Sequence, residues 1–391
     1  MRLGAVTILS FSAALAPSTK AAPAGDNTEH RLNIVRTTAH NGIIVDWITR
    51  ESQGRTYTPP SRPPSGARPR VSGAHQVKVR REFQGPTGSV PIARINEEIP
   101  MKQLPPCPSA DGLNATKIQA RAGAAGKHWY ASSSQRSRNH GGGAFISTHK
   151  PFIERQRDFS LLQIAVIHDA ADQPNGAARR RQTVEAGWQY YPPFHKDGPL
   201  LFTFFSTDGH QSQTDLVGGY NTKVKGWYQH DKDIHPGMPL SQFSVDGGDQ
   251  QEIEIMFMLS EECWWLYTLD RYIGCYPTSL FHPKGVDARK TLAAGATSVS
   301  LYGEIFNSGE QVTTTDMGSG HPAGEGWQHA AYMRKMTWLD VDGNTTHHWD
   351  GTSEVDDAAR YSIDAKFKSG IKDWDSFMFL GGPGAGGRIG G

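Results

Sequence analysis

Apolar and polar residues alternate from Thr183 to Tyr191. On an extended chain Val184, Ala186, Trp188 and Tyr190 fall on one face, and Glu185, Gly187, Gln189 and Tyr191 on the other. The β-branched and aromatic content, and the stop at Pro192 and Pro193, predict a strand. One carboxylate then sits in a polar row, beside a glycine that leaves an open space. Ser298 to Phe306 repeats the pattern: Val299, Leu301, Gly303 and Ile305 share a face, and Glu304 lies opposite with Tyr302 and Ser300. If both strands belong to one sheet, Glu185 and Glu304 face one groove, the arrangement of a two-glutamate hydrolytic site.

Further short apolar runs follow, separated by turn residues: Gly143 to Thr148, Phe159 to Ile167, Leu200 to Phe205, Gln251 to Leu259, Trp264 to Leu269 and Tyr332 to Leu339. Tyr361 to Ile371 reads as a last strand with a turn, and the last few residues of the glycine-rich end as a loose tail. Long amphipathic helix patterns are absent. This spacing predicts an all-β fold, an antiparallel β-sandwich of jelly-roll or concanavalin-like type, over residues 126–391.

The residues before 126 read differently. Arg2 followed by the apolar run Leu3 to Ala16 predicts a signal peptide over residues 1–24, hence secretion. Residues 25–125 read as a prosegment with a Pro-rich linker. Asn41 to Ile48 predicts one strand, Pro59 to Pro69 excludes a regular core element, and Arg80 and Arg81 offer a dibasic processing site.

Composition narrows the classes. A net charge of +1 gives no bulk attraction to nucleic acid or membrane, so neither is an expected partner. With 43 glycines and 10 tryptophans, the chain suits an aromatic-rich β protein with many turns. There are three cysteines. Cys263 and Cys275 flank a hairpin turning at Asp270 and Arg271, so a disulfide between them braces it, whereas two free thiols remain the alternative. Cys107 lies in the linker. Asn114 and Asn344 begin glycosylation tripeptides.

Nine motifs in order then carry a resemblance. They are Asp158 to Ile164, Val184 to Gln189, Thr207 to Gly209, Gly218 to Asn221, Trp264 to Leu266, Ile273 to Pro277, Tyr302 to Ile305, Thr315 to His321, and Gly381 to Gly384. With them, most of residues 128–384 resembles the neprosin-type glutamic peptidases, secreted proteins made as zymogens. A weaker match covers Ile44 to Ile48. The resemblance implies a β-sandwich catalytic domain, peptide-bond hydrolysis at acidic pH and cleavage after proline. The family's two catalytic glutamates map onto Glu185 and Glu304. A family disulfide is replaced by Gly219 and Val224, and a position usually tyrosine is His210.

The expected chemistry is water activated between the two carboxyls, without cofactor or metal. Gln189, Tyr302 and Trp188 are candidates for oxyanion or substrate binding, and Trp227, Trp264 and Trp265 for lining a groove. The expected partners are proline-containing peptides or proteins, with the prosegment as the chain's own inhibitor. Rival readings are a carbohydrate-active enzyme or a non-catalytic secreted β-sandwich binding protein. His321, Glu325 and His329 recur at a helical spacing, but Pro322, Gly324 and Gly326 oppose that helix, so no metal site is expected there.

Overall fold

The structure is a computed structural model that describes residues 32–40, 42–61, 71–78, 84–95, 97–98, 100–103 and 126–391. The signal peptide, Cys107, Asn114, the Arg80–Arg81 pair and most of the Pro-rich stretch lie outside the described residues. Among the described residues there are strands and short 3-10 turns but no α-helix. None of their helices is long and apolar enough to cross a membrane.

Two antiparallel sheets form the sandwich. The first runs, edge to edge, Gly218–Tyr220, Leu200–Ser206, Arg180–Tyr190, Phe159–Ala171, Ala296–Asn307, Lys127–Asn139 and Thr352–Val355. The second runs Tyr228–Gln229, Arg271–Pro277, Cys263–Thr268, Gln250–Ser260, Gly141–Ser147, Ala331–Leu339, Phe377–Gly381 and Ser362–Lys366. Between them lies the core. Val184, Ala186, Trp188, Leu301 and Ile305 from one sheet meet Ile253, Ile255, Phe257, Trp264 and Leu266 from the other. The alternation read from the sequence therefore sorts core face from outer face in both glutamate strands. The Glu185 strand ends at Tyr190, one residue short of the expected end.

Several expectations need correction. The hairpin turns at Leu269 and Asp270, both at positive φ, one residue earlier than expected. Its Cys263–Cys275 disulfide is present, with Cα atoms 5.8 Å apart. The glycine-rich end is not loose: Ala385 N–H donates to the Thr313 carbonyl at 2.9 Å and Gly390 N–H to Asp316 Oδ2 at 3.0 Å. The longest missed strand is Lys127–Asn139, whose run of serines hides it. Those serines pair inside the fold, Ser134 with Ser300 at 2.7 Å and Ser133 with the Trp349 indole at 2.9 Å.

The N-terminal residues add a small antiparallel sheet of Ile34–His40, Ile43–Thr49 and Ser89–Arg94. Ile43, Val45, Trp47 and Ala93 pack with Leu200 and Phe194 of the sandwich. Arg50 Nη2 donates to the His230 carbonyl at 3.0 Å, and Thr222 Oγ1 to the Ala93 carbonyl at 2.6 Å. The strand Ala74–Gln76 pairs in parallel with Gln250–Ser260. From the small sheet the chain passes over the outer face of the first sandwich sheet. The Tyr191 hydroxyl donates to the Glu98 carbonyl at 3.2 Å, and the path reaches Lys102.

Candidate active site

Register sets the site. Phe159–Ala171 lies between the two glutamate strands, and its outer face presents Leu161, Gln163 and Ala165. Glu185 pairs with Ala165 on one side, and Glu304 with Leu161 on the other. The two carboxylates thus approach Gln163 diagonally from opposite strands. Gly187 pairs with Gln163, and a Cβ there would lie 2.8 Å from Gln163 Cβ. Its missing side chain is therefore not open space, as expected from sequence, but close approach of the neighbouring strand.

Both glutamates are fully buried. The Lys102 ammonium, equally buried, lies between them, 3.1 Å from Glu185 Oε2 and 2.9 Å from Glu304 Oε2. The two Oε2 atoms are therefore no further apart than those distances combined. Lys102 Nζ also donates to Gln163 Oε1 at 2.5 Å, and the rings of Phe202 and Tyr302 each lie 5.5 Å from it. This cation meets two carboxylates, an amide oxygen and two aromatic faces, a complete set for a buried ammonium.

Each glutamate also has its own imidazole. His210 Nε2 is 2.8 Å from Glu185 Oε1, and His128 Nδ1 is 2.6 Å from Glu304 Oε1. His210 sits at positive φ, stacked on Phe204, and its N–H donates to Ser206 Oγ at 2.8 Å. Glu185 further accepts from Thr183 Oγ1 at 2.9 Å and Gln163 Nε2 at 2.8 Å. Burial pushes its carboxyl up, but the Lys102 charge, with His210 and Gln163, outweighs burial and holds it well below the usual carboxylate range. Burial and the two glutamate charges push the Tyr302 phenol well above its ordinary value, so it stays a neutral donor, facing Gln163 and, at 3.4 Å, Glu185 Oε2.

Among the sequence candidates, Glu185, Glu304 and Tyr302 come together here. Gln189 is buried on the same face and faces the Tyr220 hydroxyl. Trp188 does not belong to the groove. It points into the inter-sheet core, and its indole N–H donates to the Ser147 carbonyl at 2.8 Å. Strand alternation forces this, since it neighbours Gln189. Trp264 is likewise core, and Trp265 packs beside the disulfide. Asn344 is exposed in a turn. Sequence reasoning assigned no site role to Gln163, His128, His210 or Lys102. Gln163 was readable as one polar residue in an apolar strand, whereas Lys102 carries no local signal at all.

The fold is a β-sandwich that carries two buried carboxyls on the outer face of one sheet. A family model described as Neprosin matches residues 156–383, more than half of the chain, and the chain belongs to the neprosin family; it is a peptidase. Among solved structures the chain is similar to scytalido-glutamic peptidase bound to a peptide-based transition-state analogue. That match has 7% identity and a TM-score of 0.33, covering 66% of this chain and 98% of that one. It is also similar to SCP-B, a member of the eqolisin family of peptidases, in complex with the tripeptide Ala-Ile-His. There the identity is 8% and the TM-score 0.35, with the same coverage.

Proposed function

We propose that the chain is the precursor of a secreted, acid-acting endopeptidase in which Glu185 and Glu304 are the catalytic pair. The observation that carries this is the single point that both buried carboxylates face, filled here by the Lys102 ammonium. An ammonium and a water molecule are of similar size, so withdrawing Lys102 leaves room for a water between the glutamates. Two carboxyls held this close do not both ionise cheaply; in acid they share one proton and titrate as a unit.

Hydrolysis then needs no other proton carrier. The ionised glutamate takes a proton from the water as its oxygen bonds to the scissile carbonyl carbon. The protonated glutamate donates to the carbonyl oxygen. The C–N bond breaks as a proton reaches the leaving nitrogen, and the pair returns to its starting charge. Gln163 Nε2 and the Tyr302 hydroxyl are preorganised donors for the oxyanion.

Residues 25–125 act as prosegment and inhibitor, with Lys102 as the group that occupies the water's place. Protonating one glutamate removes one of the two ion pairs that hold Lys102. Two carboxyls elsewhere fit an acid setting: burial raises Asp316 and Asp356 each to about 6. The Cys263–Cys275 disulfide fits secretion. Cleavage after proline rests on the family.

The test is cleavage of paired peptides, with proline or alanine before the scissile bond, by acid-treated wild type, Glu185→Gln and Glu304→Gln. Each variant keeps the side chain's shape and loses the titratable carboxyl. Both should fall by at least about 10³-fold on the proline peptide. A variant within tenfold of wild type removes that glutamate from the mechanism, and equal cleavage of both peptides removes the proline preference.

A further inference from the structure

The sequence predicts no metal site at His321, Glu325 and His329, because Pro322, Gly324 and Gly326 oppose the helix that would align them. No α-helix forms, only a 3-10 turn over Ala323–Glu325, yet two loops bring His321 and His329 together with Asp246, and one ligand atom from each lies within 4.8 Å of the others. His329 Nδ1 is 2.7 Å from Asp246 Oδ1, and His321 Nε2 is 3.3 Å from the same oxygen.

The loops are tied to each other. Gly247 N–H donates to the Gln328 carbonyl at 3.0 Å, and Gln328 Nε2 donates to the Gly248 carbonyl at 3.2 Å. Gln328 takes positive φ, a conformation that a non-glycine residue adopts only when its surroundings impose it, and this turns the chain into His329.

The two partners of the His321 ring separate this cluster from an ordinary ion pair. Its Nδ1 faces Glu325 Oε2 at 2.7 Å, while its Nε2 faces Asp246. A neutral imidazole has one N–H and can serve only one of these two carboxylates. Both nitrogens are satisfied if Nδ1–H donates to Glu325 and Nε2 gives its lone pair to a cation shared with Asp246. A ligating histidine that donates its other N–H to a carboxylate is the usual outer-shell arrangement of a metal site. With neutral imidazoles, Asp246 and Glu325 leave two negative charges, which a dication balances.

We propose that Asp246, His321 and His329 bind one divalent cation of the zinc class, with Glu325 orienting His321. Two imidazole nitrogens and one carboxylate suit such a borderline cation, whereas magnesium and calcium prefer all-oxygen shells. Asp246 and His329 are partly exposed, so water completes the coordination. The ion would fasten the loop before strand Gln250–Ser260 to the loop before strand Ala331–Leu339. This reading does not depend on the proposed catalytic pair.

Chelator-stripped full-length protein titrated with zinc chloride in a calorimeter at neutral pH tests it. One saturable site per chain is expected. His329→Ala and Asp246→Asn should each weaken it by at least about 100-fold, and Glu325→Gln by about 10- to 100-fold. Circular dichroism of each variant without metal should match wild type. The proposal is overturned if no saturable site appears, which leaves His321 as a protonated clamp between two carboxylates. It is equally overturned if these variants bind zinc like wild type, or if magnesium competes at equal concentration.

Discussion

Lys102→Met in the full-length chain removes the charge between the glutamates and keeps the length of the side chain. In wild type the Glu185 carboxyl is held well below its ordinary 4.5: burial raises it, and the Lys102 charge, His210 and Gln163 more than reverse that. Its contribution to stability is therefore complete above about pH 4.5 and fades as pH falls below that value. Without the ammonium, two buried carboxylates face one another, and the pair takes up a proton. The variant pair then titrates above 4.5, so the variant loses stability as pH rises. Placing a proton on a glutamate of ordinary value 4.5 at pH 7 costs about 3.4 kcal/mol, at about 1.36 kcal/mol per pH unit. At pH 5 the same step costs under about 1 kcal/mol. Urea unfolding of both precursors at pH 5, 6 and 7 measures the gap. It should widen by about 1.4 kcal/mol for each pH unit from 5 to 7. A gap that is absent, or constant from pH 5 to 7, would refute the electrostatic role of Lys102.

Two other buried carboxyls give contrasting outcomes. Asp316 is raised from 3.8 to about 6 by burial, so the folded chain holds a proton there that the unfolded chain releases; the stability this gives is complete below pH 3.8 and lost as pH rises through 6. Asp316→Asn should therefore gain up to about 3 kcal/mol at pH 7 and nothing at pH 3, read from unfolding midpoints at the two pH values. Glu252 instead neutralises the buried Arg334, whose Nε donates to it at 2.9 Å, and accepts from the Tyr332 hydroxyl at 2.9 Å. Glu252→Gln should lose about 3–5 kcal/mol at pH 7 by leaving that cation buried without its counter-charge, and a loss under about 1 kcal/mol in urea unfolding would contradict this.

Strand alternation was enough to find Glu185 and Glu304, because a buried sheet face enforces a period of two and makes a lone carboxylate visible in it. The same alternation argues against Trp188 as a groove residue, since Trp188 and Glu185 differ by an odd number of positions, and the structure corrects that candidate by placing it in the core. Lys127–Asn139 was not legible. Its polar residues mimic a turn region, and only the partner strands reveal that Ser133 and Ser134 have hydrogen-bond partners inside the fold. Lys102, His128 and His210 converge on the glutamates from distant parts of the chain. No local pattern records such a meeting, because it is set by sheet order and by the path of the N-terminal segment. His321 and His329 illustrate the opposite error. Rejecting a helix was correct, but a loop can converge ligands that a helix would have aligned.

The presence of lysine between the two glutamates follows from the same electrostatics. An apolar plug would leave two buried carboxylates facing each other and would favour taking up a proton at neutral pH. A neutral hydrogen-bonding plug would satisfy lone pairs without offsetting charge. The ammonium does both, donating to Gln163 and lying within 3.1 Å of each glutamate. Arginine would bring a planar fork suited to one carboxylate held in its plane, rather than to two approaching one point from opposite strands. While Lys102 is in place its charge holds Glu185 ionised well below the usual carboxylate range, so on the proposed reading it is withdrawal of Lys102 that lets the pair take up the single proton hydrolysis requires.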